Sequence, residues 1–139
     1  MGTITRPKIS EKNPYWVEKH RYYELKHFCL QYPIWESAYK ALDGLSRRPS
    51  DLAIFSKTNV NSDSTARCAE ARLFYSMRMD MLRSVAEDTD ADLACYILKA
   101  VTEGVSYETL KAKTNIPCCK DVYFKLYRRF FWLLNRERR

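Results

Sequence analysis

The segment VSYETLKAKTNIPCCKDVYFKLYRRFFWLL, residues 105–134, constrains the fold more than any other part of the chain. Ser106 predicts the start of a short helix, which should end at Asn115 because asparagine tolerates the left-handed backbone of a sharp turn. Ile116 should then fill the turn, and Pro117 should take the first position of a long basic helix. A short helix, a tight turn around a buried aliphatic residue and a second helix are together typical of a helix-turn-helix element.

The rest of the chain also predicts helices. Only three glycines and five prolines occur in 139 residues, which favours long regular elements over a turn-rich β fold. Apolar residues recur at every third or fourth position within 13–45 and within 65–139. In the first segment, Asn13 should cap one helix and Gly44 should stop the next. The predicted fold class is all-α, an N-terminal helical hairpin followed by a helical bundle with a C-terminal three-helix unit at 91–139.

Composition along the chain predicts four regions. Residues 1–12 are polar and aperiodic, which is typical of an arm, and residues 13–45 form the predicted hairpin. Residues 46–64 are rich in Ser, Asn and Asp and predict a linker. A loop of that length is unusual inside a compact domain, so we place a boundary there, ahead of the helical region 65–139.

One face of the predicted third helix is apolar at three- and four-residue spacing. Its members are Ala66, Ala69, Leu73, Met77, Met81 and Val85. A stripe that contains methionine is typical either of adaptable core or of a seam between two helices.

The last helix has two faces of different character. Four apolar residues fall on one side and are predicted to be buried: Val122, Leu126, Phe130 and Leu133. Residues 117–139 also carry seven Lys or Arg against two acidic residues, which is +5 of the net charge of +7. A concentration of positive charge on one helix indicates an anionic partner such as the phosphate backbone of double-stranded DNA, or serves solubility.

In this interpretation the exposed start of the last helix would read base edges, and its later basic residues would meet phosphates. The side chains predicted to face the major groove are Lys120, Tyr123, Phe124 and Lys125. The predicted phosphate contacts are Arg128, Arg129 and Arg136, with the terminal arginines, and Lys111 and Lys113 on the preceding helix.

The N-terminal segment is unusually rich in large aromatic residues. A small hairpin buries only some of them, and exposed Tyr and Trp are typical of protein interfaces. The residues predicted to contact a partner protein or a second copy in a homodimer are Tyr15, Trp16, Tyr22, Tyr23 and Trp35.

Three segments resemble a known family: HRYYELKHFCLQYP, STARCAEAR and ILKAVTEGVSYETLK with IPCCKDVYFKLYRRFFWLL. The chain is similar there to sigma-region-4-like late-gene transcription regulators of phages and prophages of Gram-positive bacteria. The resemblance implies an all-α protein whose helix-turn-helix, at Val105–Leu134 by position, contacts promoter DNA or RNA polymerase.

The chain departs from that family after the Asp of the recognition helix, where Phe124-Lys125-Leu126-Tyr127 replaces a run of arginines. An alternative function therefore stays open. The chain would then be a phage-encoded inhibitor, comparable to anti-CRISPR proteins, which binds a nucleic-acid-handling defence protein of the host through the same basic helix.

Other classes of function lack support in the sequence. There is no phosphate-binding glycine loop and no Ser-His-Asp arrangement in context, so we expect no enzyme. His20 and His27 lack a second ligand pair at zinc spacing, so we expect no metal and no cofactor. No segment reaches the roughly 18 apolar residues of a membrane span. Attachment of the last helix to a membrane surface ranks behind the DNA-binding and inhibitor hypotheses. The apolar stripe of this helix is needed for the core and could not also enter a membrane surface. We expect a protein of the bacterial cytoplasm.

Overall fold

The structure, a computed structural model, describes residues 13–46 and 60–138. The helices in these ranges are α1 Lys19–Leu30, α2 Tyr32–Ser46, α3 Val60–Thr89, α4 Ala94–Glu103, α5 Tyr107–Thr114 and α6 Lys120–Glu137. The predicted all-α fold class is confirmed. The predicted arm at 1–12 and residues 47–59 of the predicted linker lie outside the described residues.

The chain divides into two compact units whose boundary differs from the predicted one. The first unit comprises the residues up to Gln31 and those from Met81 onward, and the second comprises Tyr32–Asp80. The predicted hairpin is therefore not a unit, because α1 belongs to the first and α2 to the second.

Helix ends at the predicted linker also differ from expectation. Helix α2 runs on through Gly44 to Ser46, so this glycine does not stop it. Helix α3 begins at Val60 rather than after residue 64. A single glycine in a helix costs only about 1 kcal/mol relative to alanine, which is too little to end a helix by itself.

Helix α1 is central to the first unit. It lies against α4 and α6, and α4 also lies against α5 and α6. The largest fully buried side chains of this unit come from all of its helices and from the turn between α5 and α6: Leu25, Cys29, Leu82, Val85, Ile97, Leu110, Ile116, Phe130 and Leu134. Burial of this apolar surface is the main stabilising contribution to the unit.

The start of α1 corrects the expectation that Asn13 caps it. The Asn13 side chain instead accepts a hydrogen bond from the Tyr15 N–H at 2.9 Å, within a turn that precedes the helix. Glu18 is the N-cap, and its Oε2 accepts the N–H groups of His20 at 3.0 Å and Arg21 at 3.1 Å. A cap that satisfies two of the helix's orphan donors outweighs a local asparagine signal five residues earlier.

The second unit contains α2 and residues 60–80 of α3. Arg72 of α3 donates a hydrogen bond to the Tyr39 hydroxyl of α2 at 3.3 Å, and its guanidinium lies 5.2 Å from the centre of the same ring. The apolar stripe predicted on this helix is buried only at Val85, in the first unit, while Leu73 and Met77 are 59% and 60% exposed. The core interpretation of the stripe is therefore wrong for residues 66–77.

Candidate nucleic-acid interface

Helix α5 begins at the residue that the sequence predicts. Ser106 is the N-cap, and its Oγ accepts a hydrogen bond from the Thr109 N–H at 3.2 Å. Glu108 lies in the first turn, where its negative charge interacts favourably with the positive end of the helix dipole. Leu110 of this helix is fully buried.

The turn after α5 also follows the sequence signal. Asn115 adopts the left-handed conformation with φ 52° and ψ 50°, and its N–H donates to the Lys111 carbonyl oxygen at 2.9 Å. Ile116 is 1% exposed and fills the turn. The expectation for Pro117 is wrong, since α6 begins at Lys120 with Cys119 as its N-cap. The two caps therefore leave only residues 116–118 between them, a short connection typical of a helix-turn-helix element.

The left-handed Asn115 gives a direct test of the turn. We expect Asn115→Ala to lower the free energy of unfolding by about 1 kcal/mol, because alanine is disfavoured at positive φ. We expect the matched variant Asn115→Gly to be at least as stable as the original chain, because glycine adopts this conformation without strain. Urea denaturation followed by circular dichroism measures both. A glycine variant less stable than the alanine variant would contradict the turn geometry.

Three contacts hold the start of α6 to α5. The Tyr107 hydroxyl donates to the Cys118 carbonyl oxygen at 2.7 Å, and the Tyr107 ring lies 5.3 Å from the Tyr123 ring. The Lys120 ammonium forms an ion pair with Glu108 at 2.8 Å. The two helices are thus joined by a neutral hydrogen bond, an aromatic contact and a solvent-exposed charge pair.

The ion pair shifts the pKa values of both Glu108 and Lys120. The hydrogen bond from Lys120 lowers the pKa of the Glu108 carboxyl below its ordinary value of 4.5, and the same bond raises the pKa of Lys120. Because the Glu108 pKa is lower in the folded state, its contribution to stability is present above the ordinary pKa. That contribution is lost as the pH falls through the lowered value.

We expect Lys120→Ala to raise the Glu108 pKa toward its ordinary range, because the hydrogen bond that contributes most to lowering it is then removed. An NMR titration of the carboxyl carbons measures this. Lys113→Ala is the matched control, since it removes an exposed positive charge of α5 that is not bonded to Glu108, and it should leave the pKa low. An unchanged pKa in the Lys120 variant would show that the pair does not form in solution.

The buried face of α6 differs from the predicted one. The buried residues are Tyr123, Tyr127, Phe130, Phe131 and Leu134. Only Phe130 belongs to the predicted stripe, while Val122 is 44% exposed and Leu126 and Leu133 are half-buried. The helix is therefore rotated by roughly 100°, one residue step, from the predicted orientation.

Two tyrosines account for this rotation. The hydroxyls of Tyr22 on α1 and Tyr127 on α6 form a hydrogen bond at 2.7 Å inside the unit. The Tyr22 ring also meets the Phe131 ring at 5.0 Å. A buried tyrosine contributes a large apolar ring once its hydroxyl has a partner. Burial raises the pKa of Tyr127 and of Tyr123, so both hydroxyls stay protonated across the physiological range.

Opposite the buried side, α6 has a basic face formed by Lys125, Arg128, Arg129 and Arg136. Lys125 and Arg136 are exposed, and the other two arginines are half-buried. Trp132 lies among them, with the Arg136 guanidinium 5.0 Å from the centre of its ring and the Tyr15 ring at 5.6 Å. The charges of this face are thus arranged around one partly exposed aromatic ring.

The predicted nucleic-acid contacts divide into three groups. Lys111 and Lys113 on α5 are exposed, as are Lys125 and Arg136 on α6. Lys120 is exposed but paired with Glu108, and Phe124 beside it is half-buried. Tyr123 is 2% exposed and contacts Tyr107, so the prediction that it faces a groove is wrong.

The predicted partner contacts are also only partly at the surface. Tyr22 and Trp35 are 3% and 4% exposed, so neither offers its ring to a partner, and that prediction is wrong for both. Tyr23 is 39% exposed, and Tyr15 and Trp16 are half-buried. Much of the N-terminal aromatic surface is core rather than interface.

Comparison with models of known families, with curated proteins and with solved structures finds no match to this chain. Among the described residues, no three His, Cys, Asp or Glu side chains are grouped so as to hold a metal ion. Within the same residues, every helix falls short of the length and apolar character needed to cross a membrane.

Proposed function

We propose that the chain is a DNA-binding transcriptional regulator of phage type, which contacts double-stranded DNA through α6. The observation that carries the proposal is the basic face of α6, displayed on a helix that a short capped turn joins to α5. In helix-turn-helix proteins the second helix enters the major groove and its exposed residues meet bases and phosphates.

The register of α6 supports a division of the proposed contacts. Lys125 lies on the outward side near the start of the helix, where side chains reach base edges. Arg128, Arg129 and Arg136 would neutralise phosphates along the flanking backbone, together with Lys111 and Lys113 of α5. Tyr123 takes no part, and Lys120 would contribute only after leaving Glu108.

The two central arginines favour an anionic partner for a further reason. The Nε atoms of Arg128 and Arg129 are buried, and neither has a hydrogen-bond partner in the described part of the chain. An unsatisfied buried donor costs about 1–3 kcal/mol. Turning the Arg128 guanidinium toward a phosphate oxygen would replace that cost with a charge-assisted hydrogen bond. Arg129 would also have to leave the Asp88 carbonyl oxygen, to which its Nη2 donates at 3.3 Å.

The most informative experiment is selection from a library of random DNA duplexes with the full chain, followed by footprinting of the enriched sequence. We expect one sequence family to be enriched and the footprint to centre on it. No enrichment at low salt, where non-specific binding is strongest, would overturn the proposal.

A second candidate, an inhibitor that binds a nucleic-acid-handling host protein, is favoured by one observation. Val122 is 44% exposed beside the basic face, and Phe124 is half-buried near it. Apolar side chains beside charged ones are typical of protein interfaces. Pull-down from nuclease-treated host lysate distinguishes the two functions. The inhibitor should retain a nucleic-acid-handling protein other than RNA polymerase, whereas the DNA-binding regulator should retain RNA polymerase or no protein.

A further inference from the structure

Helix α3 of the second unit carries an exposed apolar ridge, formed by Ala66, Ala69, Leu73 and Met77 with Phe74 on its flank. Both alanines are exposed, Leu73 and Met77 are 59% and 60% exposed, and Phe74 is 46% exposed. The three- and four-residue spacing places the ridge on one side of the helix. On a folded protein, a contiguous exposed apolar patch is typical of a site that binds a partner.

The residues along the ridge change from small to large. Ala66 and Ala69 form its first half, and Leu73 and Met77 form its second. If two ridges pair in antiparallel orientation with Leu73 at the two-fold axis, Met77 of each copy falls opposite Ala69 of the other. A large side chain then fills the space left by a small one, whereas parallel pairing would set alanine against alanine and leave a gap.

Charges on the flank of the ridge are complementary in the same arrangement. Glu70 and Arg78 lie on the side that carries Phe74, and the Arg78 guanidinium stands 3.4 Å from the centre of the Phe74 ring. In an antiparallel pair this flank meets its own copy, so Glu70 of each chain falls near Arg78 of the other. Parallel pairing would instead set this flank against the opposite flank of the other copy, so Glu70 of one chain and Arg78 of the other would not meet.

We propose that the ridge on α3 is a homodimer interface, in which two copies of this chain pair α3 against α3 in antiparallel orientation. A two-fold axis requires that one patch be complementary to itself, and the ridge meets this condition both in side-chain size and in charge. The proposal does not depend on DNA binding, because no residue of the basic face of α6 takes part.

The size of the contact sets its strength. A single helix crossing buries less than the roughly 1,200 Å² of total surface found in stable complexes. We therefore infer a weak dimer that forms with rising concentration rather than a permanent one.

Analytical ultracentrifugation of the full chain, from micromolar to millimolar concentration, tests the proposal. We expect the mass to rise from 16.5 kDa toward twice that value. Leu73→Glu should weaken association by about ten-fold or more, because it would place two carboxylates at the axis. Ile34→Glu makes the same change from an exposed aliphatic residue to glutamate on α2, where Ile34 is 66% exposed, and it should leave association intact. Circular dichroism verifies that both variants stay folded.

Reversal of the charge pair tests the antiparallel orientation. Glu70→Arg alone should weaken association by about ten-fold, because it faces Arg78 of the second copy in both symmetric pairs. The double variant Glu70→Arg/Arg78→Glu should regain most of that loss. A constant mass of 16.5 kDa overturns the proposal, as does association that Leu73→Glu leaves unchanged. Failure of the double variant to regain association overturns the antiparallel dimer.

Discussion

Phe130→Ala should lower the free energy of unfolding by about 3–5 kcal/mol, the usual cost of removing a fully buried phenylalanine. Phe130 is 0% exposed and meets the Phe131 ring edge-on at 5.2 Å. Small domains are stable by only about 5–15 kcal/mol in total, so this one change removes a large part of the stability. Denaturation in urea, followed by circular dichroism, measures the loss.

Val122→Ala is the matched control, because the sequence assigns Val122 and Phe130 to the same apolar stripe. Val122 is 44% exposed in the structure, so its truncation should change stability by no more than about 0.5 kcal/mol. If both variants lost several kcal/mol, α6 would have the register that the sequence predicts rather than the one described above.

Removing the charges at the centre of the basic face should have the largest effect on DNA binding. We expect Lys125→Ala/Arg128→Ala/Arg129→Ala to weaken binding to a duplex carrying the selected sequence by about 100-fold. Each lost contact should cost about 1 kcal/mol, and about 1.4 kcal/mol corresponds to a factor of ten in affinity. Fluorescence anisotropy with a labelled duplex measures the change.

The control for that variant removes the same charge elsewhere. Lys19, Lys40 and Arg67 are exposed and lie on α1, α2 and α3. Their joint replacement by alanine lowers the net charge by the same three units. It should cost much less affinity, because none of the three residues belongs to α5 or α6, the helices proposed to contact DNA. Equal losses in the two triple variants would show that only net charge matters.

Local signals were enough to predict the all-α class and the connection between α5 and α6. Ser106 caps α5, Asn115 turns left-handed at its end and Ile116 is buried, as the sequence indicates. Gly104 ends α4 in the left-handed conformation with φ 68°, a conformation that glycine adopts without strain. Each of these features depends on the backbone conformation of one or two residues, so the residue type alone carries the information.

The register of α6 could not be predicted in the same way. Both apolar sets on this helix follow helical spacing, and the choice between them depends on tertiary contacts. Tyr127 is buried because Tyr22, 105 positions away in the chain, supplies a partner for its hydroxyl. The only signal in the sequence was the larger total area of the aromatic set, since aromatic rings dominate core energetics.

The change of register affects only part of the candidate site. Lys125, Arg128, Arg129 and Arg136 remain on or near the surface in the register observed, whereas Tyr123 moves into the core. For the ridge on α3, the sequence showed the pattern but not its partner. Its periodicity was visible in the sequence, but periodicity gives a packing face without identifying which partner covers it.

The salt dependence of duplex binding tests the central claim, that the basic face of α6 contacts DNA phosphates. Affinity of the original chain should fall linearly in log–log form between about 50 and 200 mM salt, with a slope of about −0.9 for each phosphate neutralised. The α6 triple variant should have a slope shallower by about 2, because it removes the two phosphate contacts of Arg128 and Arg129. The control triple variant should keep the original slope. A flat salt dependence, or an unchanged slope in the α6 variant, would contradict the claim.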